Sequence, residues 1–217
     1  MNSYPPTLIR PLKLISPLQS RENRVLKRLS DLAIASLGLF LLWPLFVLIA
    51  LAIRLNSPGP ALYKQERVSL HGKIFNMYKF RTMPVDTEKD TGPVWATSDD
   101  QRSTPLGRFL RRSSLDELPQ LLNVLEGSMS FIGPRPERPY FVAQFQQEIR
   151  HYDERHQVKA GMTGLAQIKG LRGDTSIEKR VEHDLYYIEN WSLALDFKII
   201  FCSFWVILQD FIEKKAY

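Results

Sequence analysis

Leu32 to Ile53 is a run of 22 residues without a charged side chain, bracketed by Asp31 and Arg54. As a helix it reaches roughly 33 Å at about 1.5 Å per residue, enough to cross a hydrocarbon core of about 30 Å. It is apolar on every side, which argues against a helix buried in a soluble fold. Two features count against a simple span. Pro44, near the middle, removes a backbone hydrogen bond and favours a kink at Trp43-Pro44. Basic residues also flank both ends: Arg21, Arg24, Lys27 and Arg28 before the run, Arg54, Lys64 and Arg67 after it. Lysine and arginine prefer the cytoplasmic side of a membrane. A spanning helix satisfies that preference on one flank, whereas a helix that enters and leaves the same leaflet satisfies it on both. The residues leave the two arrangements open.

The 217 residues carry 29 Lys and Arg against 23 Asp and Glu, a net charge of +6 that suits anionic partners such as lipid headgroups, nucleotides or nucleic acid. The nucleic-acid reading rests on charge alone, and none is expected as a partner. The single cysteine, Cys202, lies in an apolar run and is read as a small buried side chain. Residues 1–24 are rich in Pro, Ser and Arg without helical periodicity and read as a flexible basic arm. They are too polar for a signal-peptide core.

The remaining chain predicts an α/β fold: a membrane element over 25–55, a compact helix-rich catalytic domain with a small sheet over 56–190, and an amphipathic interfacial helix over 191–217. Ala61-Leu62-Tyr63 and Lys73 to Phe80 read as strands, and Pro84 to Ser103 as a surface loop. Leu118, Leu121, Leu122 and Leu125 recur at i, i+3, i+4, i+7, an amphipathic helix stopped by Gly127. Tyr140 to Ile149 and Ser176 to Glu189 also read as helical. At the C-terminus Phe197, Ile200, Phe201, Phe204, Leu208, Phe211 and Ile212 share a face bordered by Asp196, Lys198 and Glu213. Such a helix completes a core or lies in a membrane interface, and the apolar run upstream favours the interface.

Asp116 and Glu117 stand side by side at an expected helix start, with Arg111 and Arg112 just upstream. Ser114-x-x-Glu117 fits a capping box, which requires no chemistry. Two adjacent carboxylates are more than a cap needs, however. The helix dipole and Arg111 favour an ionised Asp116, available as a nucleophile. The same amides and guanidiniums suit phosphate, and one or two carboxylates with substrate phosphates is the usual Mg²⁺ arrangement. Phosphoryl transfer through an aspartyl phosphate is within reach of such a site. Lys79 and Arg81 interleave with aromatics, Arg135 is held between two prolines, and Arg172 lies between Gly170 and Gly173. Each could add a phosphate contact or be an ordinary surface charge. Asp184 could supply an assisting acid or a structural ion pair. No P-loop, His-Glu-x-x-His or cysteine cluster is present.

Five blocks in order then resemble the bacterial sugar transferase family, the monotopic polyprenyl-phosphate phosphoglycosyltransferases. They are Lys79-Phe80-Arg81-Thr82-Met83, Ser114 to Gln120, Met129 to Pro136, Lys159 to Gln167 and Asp184-Leu185-Tyr186-Tyr187-Ile188. The resemblance implies a re-entrant membrane helix and a catalytic domain on the cytoplasmic face of the bacterial inner membrane. It implies that Asp116 attacks the β-phosphate of a UDP-sugar, releasing UMP, and that polyprenyl phosphate then displaces the phosphosugar. Glu117, with Asp116, would hold Mg²⁺. Arg111, Lys79, Arg81, Arg135 and Arg172 would bind phosphates, with Asp184 near the substrate. Gly170 to Asp174 and the Lys214-Lys215-Ala216-Tyr217 ending resemble the exopolysaccharide undecaprenyl-phosphate glucose-1-phosphate transferase branch, which implies a role in starting a surface polysaccharide or lipopolysaccharide. Lys169 and Leu165 depart from the Asn and Trp of many members. The resemblance further implies a minimal catalytic form, for which a homodimer is allowed. The alternative reading is a non-catalytic membrane-surface protein that binds anionic lipid.

Overall fold

The computed structural model describes residues 15–89, 92, 94–95 and 100–212. The expectations for residues 1–14, for part of the 84–103 loop and for the Lys214-Lys215-Ala216-Tyr217 ending lie outside them. Residues 15–24, read from sequence as the end of a flexible arm, instead join the body. A 3-10 turn spans Pro17–Gln19, and the buried Ser16 hydroxyl donates to the Ile188 carbonyl at 2.7 Å. The arm ends early because Ser20 caps a helix: its Oγ accepts from the Asn23 amide.

That helix, α1 (Arg21–Asn56), runs through Trp43 and Pro44 as one element rather than two. A proline withdraws one amide from the ladder, and the turns on either side keep theirs. Only 11% of its most apolar stretch is buried, although the helix is long and apolar enough to cross a membrane. Both ends nevertheless touch the same body. Near the N-terminus, Lys27 Nζ pairs with Asp31 (3.1 Å) and with Asp196 (2.9 Å). Near the C-terminus, Ile49 and Ile53 share a packed cluster with Phe80 and Leu110.

β1 (Leu62–Val68) and β2 (Ile74–Phe80) form an antiparallel hairpin with Leu62 opposite Phe80. β1 is longer than the Ala61 to Tyr63 stretch expected, since β2 offers it partners along seven residues. α2 (Pro105–Arg112) follows, capped by Thr104 and docked against the end of β2. Gly107 permits this approach, because a Cβ there would collide with the Thr82 carbonyl. α3 (Gln120–Glu126) packs on α1 through Leu121 and Val124 and ends at Gly127, whose φ of 88° suits glycine. β3 (Ser130–Ile132), α4 (Pro139–Glu148), β4 (Gly161–Thr163), α5 (Leu165–Ile168), α6 (Ile177–Glu189) and α7 (Leu193–Ile212) complete the fold. β3 and β4 pair in parallel.

α7 buries Asp196, Ile199 and Ser203 and exposes Phe201 (78%), Phe204 (67%) and Ile212 (75%). The expected apolar face is thus present and points outward. Ile200 departs from it by packing on the core, and Asp196 is a buried anchor rather than a polar border. Asp196 accepts from the Tyr187 hydroxyl (2.8 Å) and the Trp191 indole (3.2 Å) while pairing with Lys27.

Candidate active site

Ser114 turns the chain from α2 toward the site. Its φ of 55° and ψ of 15° lie in the left-handed region, which costs a non-glycine residue about 1 kcal/mol. This backbone is not that of an N-cap, and the Ser114 side chain makes no capping bond. The capping box read from sequence therefore does not form. The 3-10 turn Leu115–Glu117 instead sends both acids inward, with Asp116 6% exposed.

Glu117 is gripped from two sides. Lys79 Nζ donates to its Oε1 at 2.8 Å, and Arg135 donates to Oε1 at 2.6 Å and Oε2 at 3.3 Å. Asp116 has a looser partner, with Lys79 Nζ 3.9 Å from Oδ2. The two acids consequently diverge in acidity. Burial raises Asp116 to about 6, Lys79 counters in part, and the Glu117 charge adds to the rise. Burial also opposes ionisation of Glu117, but the charges and hydrogen bonds of Arg135 and Lys79 prevail and hold it well below the usual carboxylate range. The sequence expectation of a helix dipole easing Asp116 ionisation is thus outweighed by desolvation. At pH 7 Asp116 is still ionised by about ten to one, now as a more basic oxygen than an ordinary aspartate.

Asp116 opens on a cavity of about 530 Å³ bounded by the hairpin, α2, the 84–89 segment, the Arg135 turn and α6. Among the described residues, nine Lys and Arg line it against four Asp and Glu, so its field favours an anion. A much smaller cleft, about 20 Å³, is lined by Arg112, Ser114, Glu117, Arg172 and Asp210. Asp116, Arg111 and Arg135 line both.

The structure brings Lys79, Arg111, Arg135 and Arg172 to the acid pair, and Arg111 is steadied by the Ser103 hydroxyl (3.0 Å) and Asp100 (3.7 Å). Two expected contacts turn out otherwise. Arg81 edges the cavity, but its Nη atoms donate to the Ser57 and Pro58 carbonyls at 2.8 and 2.6 Å, tying down the chain after α1. Asp184 is 2% exposed and bonded to Arg155 at 2.6 Å, and it lines neither space. Burial raises its pKa against the opposing pull of Arg155, so it is a structural ion-pair partner.

Sequence reasoning missed Arg67, Glu137 and Arg180. Arg180 donates to Glu137 at 2.7 Å and Arg67 lies 3.5 Å from the same carboxylate, all three on the cavity wall. One signal was available: Arg180 shares the buried stripe of α6 with Asp184 and Tyr187. A charge on such a stripe needs a partner.

Among the described residues no group of three or more His, Cys, Asp or Glu is suited to a metal ion. Asp116 and Glu117 are two carboxylates, the number Mg²⁺ takes from protein when phosphate oxygens complete its shell. The donor set fits on those terms, with Glu117 giving up one of its cationic partners.

Fold and site together define a class: an α/β body with a cationic, acid-bearing cleft, set against a long apolar helix. The chain belongs to the bacterial sugar transferase family, whose profile it matches over residues 22–210. It is 48% identical over 199 residues to the UDP-glucose:undecaprenyl-phosphate glucose-1-phosphate transferase of Escherichia coli K12, covering 90% of this chain and 42% of that protein. A protein of the same name from Caulobacter vibrioides is 43% identical over 202 residues, 90% of this chain and 74% of its own. The UDP-N-acetylgalactosamine-undecaprenyl-phosphate N-acetylgalactosaminephosphotransferase of Aeromonas hydrophila is 43% identical over 201 residues, 92% of this chain and 47% of its own. The chain thus spans about two fifths of the length of the Escherichia coli relative.

Proposed function

We propose that this chain transfers a sugar 1-phosphate from a UDP-sugar to undecaprenyl phosphate, by way of a covalent intermediate on Asp116, as the first step of a surface polysaccharide. The observation that carries this reading is a buried carboxylate of raised basicity facing a cationic 530 Å³ cavity, beside a second carboxylate already neutralised by Lys79 and Arg135. An ionised Asp116 oxygen attacks the β-phosphorus of the donor, forming an Asp–O–P bond. The bond from that phosphorus to the bridging oxygen breaks, and UMP leaves with the electron pair, so no general base is needed. An oxygen of the acceptor phosphate next attacks the same phosphorus and returns the carboxylate. Arg111 and Arg135 bind the transferred phosphoryl group, and Lys79 shuttles its charge between the acids and the phosphate. Bound Mg²⁺, held by Glu117 and Asp116 with substrate oxygens, would supply further neutralisation of the diphosphate. Relatives named for glucose and for N-acetylgalactosamine match at similar identity, so the proposal is made for the sugar 1-phosphate class.

The reading includes a membrane on one side only. Both ends of α1 contact the same body, which favours a helix lying in or re-entering one leaflet over one that crosses. The exposed face of α7 adds a second apolar element to that surface, and the cytoplasm, where UDP-sugars are made, is the side on which the body rests. Intact-mass measurement after incubation with a UDP-sugar and Mg²⁺ tests the chemistry. The expected result is UMP release with a phosphosugar adduct on the wild type and neither on Asp116→Asn. UMP release that survives the substitution rules out the aspartyl intermediate.

A further inference from the structure

The two spaces that meet at Asp116 differ in what surrounds them, and the difference bears on which substrate uses which. The large cavity is walled by the hairpin, α2 and α6, and its aromatic lining is Tyr63, Phe80, Trp95 and Phe141, the last two packed edge to face at 4.7 Å. The small cleft reaches the outward apolar helix α7. Asp210, near the end of α7, sits 3.7 Å from Arg172. Its neighbour Phe211 packs on Phe109 of α2 at 6.3 Å, and both rings are about half exposed (47% and 50%). These two rings make a small apolar surface beside the cleft. Within the cleft the Arg112 Nε is buried and has no hydrogen-bond partner.

We infer that the small cleft is the approach and anchoring site for the lipid acceptor, a phosphate monoester of a long apolar chain, with Arg112 and Arg172 holding its phosphate and the Phe109–Phe211 surface its first apolar units. The inference rests on the phosphoglycosyl transfer proposed above and divides that site between its two substrates. Charge and apolarity adjoin here as they do in such a lipid, and the surface is continuous with the face of α7 that suits a bilayer. At about 20 Å³ the cleft holds little more than one water-sized group. A phosphate enters by replacing the Asp210 carboxylate at Arg172, so Asp210 acts as an internal stand-in that the acceptor displaces. In-line displacement places the attacking oxygen opposite Asp116, at the position vacated by UMP. The acceptor phosphate therefore leaves Arg112 and Arg172 and passes between Arg111 and Arg135, which line both spaces, to reach that position. There the new P–O bond forms as the Asp116–P bond breaks.

The test separates the half-reactions in the full chain reconstituted in nanodiscs. Adduct formation from UDP-sugar is followed by mass, and its discharge by a chase with undecaprenyl phosphate. Arg172→Ala and Arg112→Ala are expected to slow the chase at least tenfold more than they slow adduct formation, and Asp210→Asn to lower the acceptor concentration for half-maximal chase. Equal effects on both halves, or a weaker acceptor response in Asp210→Asn, overturn the inference. Equilibrium binding of undecaprenyl phosphate without donor, competed with inorganic phosphate, is read in parallel. Binding that needs Arg172 in a wild type that forms no adduct supports the cleft while refuting the chemistry. Competition by inorganic phosphate alone at equal concentration refutes a lipid site.

Discussion

Asp116 is a weaker acid than its neighbour because its burial outweighs the pull of Lys79, Arg111 and Arg135, whereas Glu117 has Lys79 and Arg135 in direct contact. Two consequences are measurable. Under the mechanism proposed above, which requires Asp116 as its carboxylate, UMP release is expected to rise with pH through about 6 and level off. In Glu117→Gln the repelling charge is gone, so Asp116 ionises more readily. The midpoint is expected to move below 6 even as the rate falls, which a pH–rate profile reads directly. Stability follows the same group with a definite sign. The folded pKa lies above the unfolded value of 3.8, so the Asp116 charge costs stability above about pH 6. The cost vanishes below about pH 4, where both states hold the proton. Asp116→Asn is therefore expected to raise stability at pH 8 by up to about 3 kcal/mol and to change it little at pH 4, as thermal melts at the two values will record.

Among the elements, α1 is held to the body by more than apolar contact. Lys27 bridges Asp31 and Asp196, and Asp31 Oδ1 also accepts from the Ser130 hydroxyl and the Phe131 amide, both at 3.0 Å. Arg28 donates to the Val124 and Leu125 carbonyls at 2.6 and 2.7 Å, closing the end of α3. Two of the four basic residues before the apolar run are thus spent inside the protein, leaving Arg21 and Arg24 exposed. Lys27→Met leaves two buried carboxylates uncompensated and is expected to cost about 3–5 kcal/mol. Arg21→Ala is expected to change stability by less than about 0.5 kcal/mol. Denaturant titration in detergent distinguishes the two. Element type was legible wherever periodicity or a cap was strong, as with Leu121, Leu122 and Leu125 before Gly127. It failed where two signals coincided, as at Ser114, whose cap-like spacing concealed a left-handed turn.

At the scale of the whole molecule, two apolar surfaces, the length of α1 and the outer face of α7, flank a body whose cationic cavity holds the acid pair. Attachment to a bilayer through such surfaces is hydrophobic first and electrostatic second. The protein is therefore expected to stay with membranes through washes at 1 M salt and to leave only with detergent, and release by salt alone would contradict this. The sequence by itself determined the apolar run, most of the helices and the adjacency of Asp116 and Glu117, because these depend on neighbours along the chain. It could not tell that Lys79 and Arg135, 38 and 18 residues from Glu117, would both close on that one carboxylate. Nor could it tell that Asp184 and Arg81 would be drawn into structural bonds. Charges buried together must find partners across the fold, and which partners they find is set by packing between elements that no local spacing records.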